Sequence, residues 1–324
     1  MEINVAYGAN ESFSKHTYIS LLSLLLHSNK KDIINCFFFT VKNNKRTTLI
    51  KNLENSFRNF KYNEIICSED KLEGLKTSNR LKHVNIYTYC RFFISTLKWI
   101  EKLLYLDSDT IILQDVNTLY NEDINDYIVW VVSDIPNDFI LQVKSELKLK
   151  GDHYFNAWVM LINLKKRNEK NISEKCLSLL SANSYPCNDQ DSLNITLESN
   201  CVYLDWKYNV QTWFFEKYEK YELWFNKEYY KKAVKNPFII HYTWCSKPRF
   251  LLDNHPYRHC YDKMVRFAIF VNLKIFRLYP IQCKDFFILC LHTIENIFPK
   301  YTAKKAREYT NYIIHKVHLS FKRV

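Results

Sequence analysis

Residues 103–113 read LLYLDSDTIIL. Apolar residues flank two carboxylates, Asp107 and Asp109, with only Ser108 between them. In a strand, residues two apart point to the same side, so the two acids are expected side by side. Like charges forced together favour a shared proton or a bound cation. An oxygen-rich site with open positions suits Mg2+ or Mn2+, ions that bridge protein carboxylates to phosphates. The pair stands where LLYL ends, and ligands of open α/β sheets bind outside the carboxyl ends of strands. The plainer reading is two solvated aspartates at a strand end, capping the next element.

Working outward, strand and helix signals alternate. INVAY (3–7) reads as a short strand, and residues 14–28 carry Ile19, Leu22, Leu25 and Leu26 at helical spacing. IINCFFFTV (33–41) is the continuous apolar run of a buried strand. YNEIIC (62–67) reads as another strand, and residues 87–100 as a helix packed through Phe92, Phe93, Leu97 and Ile100. Beyond the acidic pair, YIVWVVS (127–133), WVMLINL (158–164), VYLDW (202–206) and PFIIHY (237–242) are strand-like, with helical stretches at about 169–182 and 190–197. This order predicts an α/β fold with a mostly parallel sheet flanked by helices.

Composition narrows the chemistry. Of 324 residues, 47% are hydrophobic, which suffices for a sizeable core and opposes wholesale disorder. The three glycines, Gly8, Gly74 and Gly151, exclude a G-x-G-x-x-G or Walker loop, so any nucleotide is held otherwise. Ten scattered cysteines with no C-x-x-C read as reduced thiols packed as small hydrophobes. The N-terminus lacks signal-peptide character, and no apolar run is long enough for a spanning helix. The net charge of +12 is uneven: residues 263–324 hold 12 Lys and Arg against 3 acids, and the first 262 hold 34 against 31. Two regions are therefore expected, 1–262 and 263–324.

The segment KLLYLDSDTIILQDVNTLY resembles the metal-binding stretch of family 8 retaining glycosyltransferases, in particular bacterial lipopolysaccharide α-glucosyl- and α-galactosyltransferases. Further segments resemble that family in the same order: INVAYGANESF (3–13), YTYCRFFI (87–94), YFNAWVMLINLKK (154–166), NDQDSLN (188–194) and IHYTWCSKP (240–248). The resemblance implies a GT-A fold with a Rossmann-like nucleotide-binding half. It implies a donor such as UDP-glucose or UDP-galactose and a Mn2+ ion, with Mg2+ the alternative. By the same resemblance Asp107, Asp109 and His241 would hold the metal. Gly8, Ala9, Asn10, Arg91, Asp107, Ser108, Asn156, Ala157 and Lys247 would line the donor. Asp189 would bind donor-sugar hydroxyls and Gln190 would lie by the anomeric carbon, the two catalytic candidates. Asp191 is expected to be a buried structural acid. Read without the family, NDQDSLN is first a helix N-terminus, Asn156 a strand-end residue bonding its own backbone, and His241 a core or capping residue. The resemblance further implies retention by front-face substitution, in which the leaving phosphate helps deprotonate the acceptor hydroxyl.

Three departures from the family pattern bear on the pocket. Asn10 stands where Asp is usual, and Trp158 and Trp244 where glycine is usual. Glycine permits close backbone approach to a ligand and tryptophan does not. Either an indole reshapes the pocket, stacking on a sugar face, or activity is impaired.

Residues 263–324 alternate Phe, Ile, Leu and Tyr with Lys and Arg, the composition of interfacial helices attracted to anionic lipid. The plainer reading is a helical cap with a charged outer face. No DNA or RNA motif accompanies the charge, so nucleic acid is not an expected partner. The expected whole is a hexosyltransferase at the inner face of the bacterial inner membrane, cytoplasmic and peripheral, acting on a lipid-linked oligosaccharide of the lipopolysaccharide or lipooligosaccharide core. The competing class is a non-catalytic binding protein on the same scaffold, adhering to membrane or polyanion through its tail.

Overall fold

A computed structural model describes residues 1–9, 13–41, 47–78, 80, 86–215, 227–243, 248 and 255–276. The chain divides into two units between Tyr257 and Arg258.

The first unit opens with β1 (Glu2–Gly8), α1 (Ser14–His27), β2 (Ile33–Thr40), α2 (Thr47–Ser56) and β3 (Phe60–Ile66). A 3-10 helix, Ile86–Thr96, leads to β4 (Lys102–Leu106), β5 (Thr110–Ile112) and α3 (Asn117–Tyr120). Next come β6 (Val129–Ser133), α4 (Asp138–Glu146), β7 (Phe155–Asn163), α5 (Leu164–Glu169), α6 (Ile172–Ala182) and α7 (Asp189–Leu197). The unit ends with β8 (Cys201–Tyr203), the 3-10 helix Trp206–Asn209, β9 (Val210–Gln211), α8 (Lys227–Lys235) and β10 (Ile239–His241).

The main sheet has seven strands in the order β3-β2-β1-β4-β7-β6-β8. All run in one direction except β7, which pairs antiparallel with both β4 and β6. The mostly parallel sheet expected from the alternation is therefore present, with one reversed strand. The carboxyl ends of β1, β4 and β6 and the amino end of β7 consequently share one edge. The order reverses direction beside β1, the position at which open α/β sheets take ligands. A second sheet, β5-β10-β9, stands at that edge. Between Val131 and Val132 the β6–β7 register jumps from Met160 to Asn156, so residues 157–159 bulge out of the pairing. Bulges of this kind re-aim side chains beside sites.

The core under the main sheet includes Ala6, Phe37, Phe92, Leu103, Tyr105, Val131, Met160 and Leu193. Burying such side chains supplies roughly 1.5–3 kcal/mol each. Gly8, at the edge, permits close approach: a Cβ there would stand 3.2 Å from the Tyr105 hydroxyl and 3.6 Å from the Arg91 nitrogen.

Three local expectations are corrected. The helix expected over 87–100 is a 3-10 helix ending at Thr96. Ser95 and Thr96 donate to the Phe92 and Phe93 carbonyls three residues back, which suits the tighter winding. The strand expected over 202–206 stops at Tyr203, because Asp205 accepts from the Lys207 N–H and starts a 3-10 turn. Asp107–Asp109 is not strand but the turn between β4 and β5. The i, i+2 rule therefore does not explain how the two acids lie.

Cys36, Cys67, Cys90, Cys176 and Cys187 are buried free thiols, as expected of small hydrophobes. The second unit begins with α9 (Arg258–Phe276), on which Tyr261, Met264 and Ala268 form a buried face at helical spacing. The remainder of the basic region, from residue 277, lies outside the described residues. Among the described residues no helix is long and apolar enough to cross a membrane.

Candidate active site

The turn Asp107–Asp109 is held from both sides. The Asp107 N–H donates to the Trp158 carbonyl at 2.9 Å, and the Tyr242 N–H donates to the Asp109 carbonyl at 3.0 Å. Ser108 is buried and shares a 2.7 Å hydrogen bond with Thr17 of α1. Its side chain is thus committed to holding the turn.

β10 runs antiparallel to β5 with His241 opposite Thr110, which delivers the imidazole to the turn. His241 Nε2 stands 3.1 Å from Asp109 Oδ1 and 4.0 Å from Asp107 Oδ2. One ligand atom from each of Asp107, Asp109 and His241 lies within 4.8 Å of the others. Side-chain exposure falls from 25% at Asp107 to 11% at Asp109 and 1% at His241, so the group opens to solvent on the Asp107 side. Two carboxylates and an imidazole are a fitting donor set for a divalent cation with open positions. Trp158 is half-buried, its indole edge-on to the His241 ring with centroids 5.0 Å apart. Imidazole and carboxylate meet directly, so the indole flanks the group and does not divide it.

A second network is built on Ala157. Arg91, fully buried in the 3-10 helix, pairs with Asp189 at 2.8 Å and donates to the Ala157 carbonyl at 2.8 Å. Its guanidinium lies over the Tyr105 ring, 4.8 Å from the centroid. Burial opposes the Arg91 charge, but the Asp189 carboxylate and other anionic groups outweigh it and hold the pKa above its ordinary value. Asp189 also accepts from the Thr88 hydroxyl at 3.3 Å. The Ala157 N–H donates to Gln190 Oε1 at 3.1 Å, and Gln190 Nε2 donates to Asp134 Oδ2 at 3.4 Å. The Gln190 amide is therefore held at both ends. Asp191 accepts from the Tyr154 hydroxyl at 2.5 Å and the Cys187 N–H at 2.6 Å, a buried structural acid. Burial pushes its carboxyl up to about 6. The helix expected to start at NDQDSLN does start there, at Asp189. Asn188, however, turns its side chain away from the helix amides to accept from the Ser78 N–H and the Tyr89 hydroxyl.

A third network runs through Asn156. Its Oδ1 accepts from the Trp158 N–H at 3.2 Å and from Asn209 Nδ2 at 2.8 Å, and its Nδ2 donates to Gln211 Oε1 at 3.3 Å. Asn156 thus bonds its own backbone and also reaches across to the second sheet. Gly8 and Ala9 lie at the end of β1, with the Ala9 N–H bonded to the Phe39 carbonyl. Asn10, Trp244 and Lys247 lie outside the described residues.

Asp134, Asn209 and Gln211 are among the residues of these networks that carry no sequence expectation. Asp134 is buried and accepts from the Ile135 N–H and from the Gln190 and Asn156 amides. Burial outweighs those bonds and raises its carboxyl to about 6. Its sequence signal was available, since WVVSDIP ends a strand on an acid just as LLYLD does. Asn209 and Gln211 follow the short strand β8 with no periodicity to mark them.

A family model of glycosyl transferase family 8 matches residues 4–248. The lipopolysaccharide 1,2-glucosyltransferase of Escherichia coli K12 is 27% identical over 253 residues, 76% of this chain and 72% of that protein. The lipopolysaccharide 1,3-galactosyltransferase of Salmonella typhimurium is 26% identical over 291 residues, 80% of each. Against two other relatives, from Haemophilus influenzae and Bacillus subtilis, the chain spans 63% and 64% of their lengths. Among solved structures, galactosyltransferase LgtC in complex with donor and acceptor sugar analogues has a TM-score of 0.67 at 18% identity, covering 82% of this chain and 96% of that one. That likeness gives the fold, which is of GT-A type.

Proposed function

The chain belongs to glycosyl transferase family 8, and on that premise we propose that it is a retaining hexosyltransferase. It moves glucose or galactose from a uridine diphosphate sugar to a core sugar of lipopolysaccharide or lipooligosaccharide. The convergence of Asp107, Asp109 and His241 carries this reading. These residues would hold Mn2+, or Mg2+ in its place, and the ion when bound supplies Lewis-acid stabilisation of charge on the departing diphosphate.

The chain's own residues position and select. Asp107, the most open of the three, faces the side from which the diphosphate arrives. Asn156, Ala157, Arg91 and Asp189 form the wall assigned to the donor sugar, with Gly8 and Ala9 toward the nucleotide. Burial raises the Asp189 carboxyl above its ordinary value while Arg91 and Thr88 pull it back down, and Asp189 receives sugar hydroxyls through lone pairs that those partners leave over. The doubly held amide of Gln190 lies by the anomeric carbon. The Gln190 amide is a poor nucleophile, and the family resemblance implies front-face substitution, with the leaving phosphate taking the acceptor proton. The Trp158 indole takes up room beside the ion group and supports a reshaped donor pocket, with an aromatic face for the sugar.

With Mn2+ present, the full chain is expected to hydrolyse UDP-glucose or UDP-galactose slowly, and Asp109→Ala to abolish that turnover. No turnover of either donor by the wild type would instead support a non-catalytic binding protein. Residues 263–324, with 12 basic residues against 3 acidic, suit docking on an anionic membrane surface next to a lipid-linked acceptor. The full chain is expected to sediment with phosphatidylglycerol vesicles and not with phosphatidylcholine vesicles. A shortened chain lacking residues 263–324 that sediments equally well would refute docking through that region.

A further inference from the structure

We infer that Asn209 is a positioning residue that fixes the imidazole of His241 with its proton on Nδ1, and that the amide of Asn156 fixes Asn209 in turn. The inference rests on reading Asp107, Asp109 and His241 as the ion-holding group.

Side-chain amides and imidazoles do not declare by themselves which atom donates. Here the direction follows from a group that does. The backbone N–H of Trp158 can only donate, and it points at Asn156 Oδ1 from 3.2 Å. That atom is therefore an acceptor, and the Asn209 atom 2.8 Å from it is the donor Nδ2. Asn209 Oδ1 then faces His241 Nδ1 at 3.1 Å. An amide oxygen only accepts, so Nδ1 carries the hydrogen. In the neutral ring Nε2 then has its lone pair on the side of Asp109 and Asp107, at 3.1 and 4.0 Å. Reversing either amide would set acceptor against acceptor somewhere along the chain. Asn156 and Asn209 are both fully buried, so water cannot repair such a fault.

A lone pair aimed at a carboxylate oxygen is repulsive until a cation stands between them. The chain of amides thus turns the ring into a ligand in advance, as outer partners of metal-bound histidines do. Its root lies in β7, at the bulge that also presents Ala157 to Arg91 and Gln190. One stretch of backbone consequently orients both the ion group and the sugar wall.

The test uses the full chain labelled with 15N-histidine, with Mg2+ and uridine diphosphate as probes and His241→Gln to identify the signal. The Nδ1–H tautomer with the ion-induced shift on Nε2 is expected; a shift on Nδ1, or an Nε2–H tautomer, overturns the inference. Mn2+ affinity gives an independent readout. Asn209→Leu is expected to weaken it about ten- to a hundredfold. Unchanged affinity in a folded Asn209→Leu chain also overturns it. If Asn209→Leu does not fold, the wild-type spectrum still decides. A wild type that shows no response to either ion overturns the ion-holding reading as well, which separates the two failures.

Discussion

Asp134 illustrates how a single buried acid couples the site to pH. Its carboxyl titrates at about 6 in the folded chain against an ordinary 3.8, because burial outweighs the bonds from Ile135, Gln190 and Asn156. The folded state therefore binds the proton more tightly, and stability falls as pH rises from 3.8 to about 6. The cost is absent below that window and complete above it, with a ceiling of about 3 kcal/mol at 1.36 kcal/mol per pKa unit. Asp134→Asn removes it. Whatever fixed offset the lost acceptor introduces, the variant is expected to gain on the wild type between pH 4 and pH 7 in urea denaturation. A constant gap would refute the assignment. At this scale the sequence was legible where charge sits in apolar surroundings, as at Asp107 and Asp109. The stated reason was incomplete, since the acids lie on a turn and meet because His241 and Tyr242 clamp it. Asn209 was illegible, because an amide signals its role only through partners far along the chain.

The elements show a different limit. The apolar spacing of α1 is visible in the sequence, yet its most specific face is polar. Thr17, Ser20 and Ser23 are buried at three-residue spacing and meet the turn and β5. Thr17 bonds Ser108, Ser20 bonds Thr110 and Tyr7, and Ser23 accepts from the Ile112 N–H. This row of hydroxyls sets the height of α1 over the acidic turn, which apolar packing alone would leave free to slide. Ser20→Ala leaves Thr110 and Tyr7 short of a buried partner and is expected to cost about 1–3 kcal/mol. The gain of a few tenths in helix propensity does not offset that. Equilibrium urea unfolding measures the difference, and a neutral outcome would show that the row is incidental. Serine and threonine on a helix usually signal a solvated face, so the pattern could not be read before the strand beside it was known.

For residues 1–257 as a whole, alternation of elements foretold the mostly parallel sheet but neither the reversal of β7 nor the second sheet. β5 and β9 are three and two residues long, too short for periodicity to register, whereas β10 falls within the strand expected over 237–242. They nonetheless join Asp109 to a histidine 132 residues away. An ion bound across that join stabilises the folded state by mass action, about 2.7 kcal/mol at a hundredfold excess over its dissociation constant. Thermal unfolding is expected to shift upward with Mn2+ in the wild type and not in His241→Ala.

The pairing of β5 with β10 also bears on synthesis. A chain leaving the ribosome displays both aspartates long before residue 241 has been translated. Until then it would offer a divalent cation only two carboxylates on a loose turn. On the proposed reading, tight retention of an ion begins only after residue 241 has been made, and a polypeptide interrupted earlier emerges without the imidazole that completes the grip.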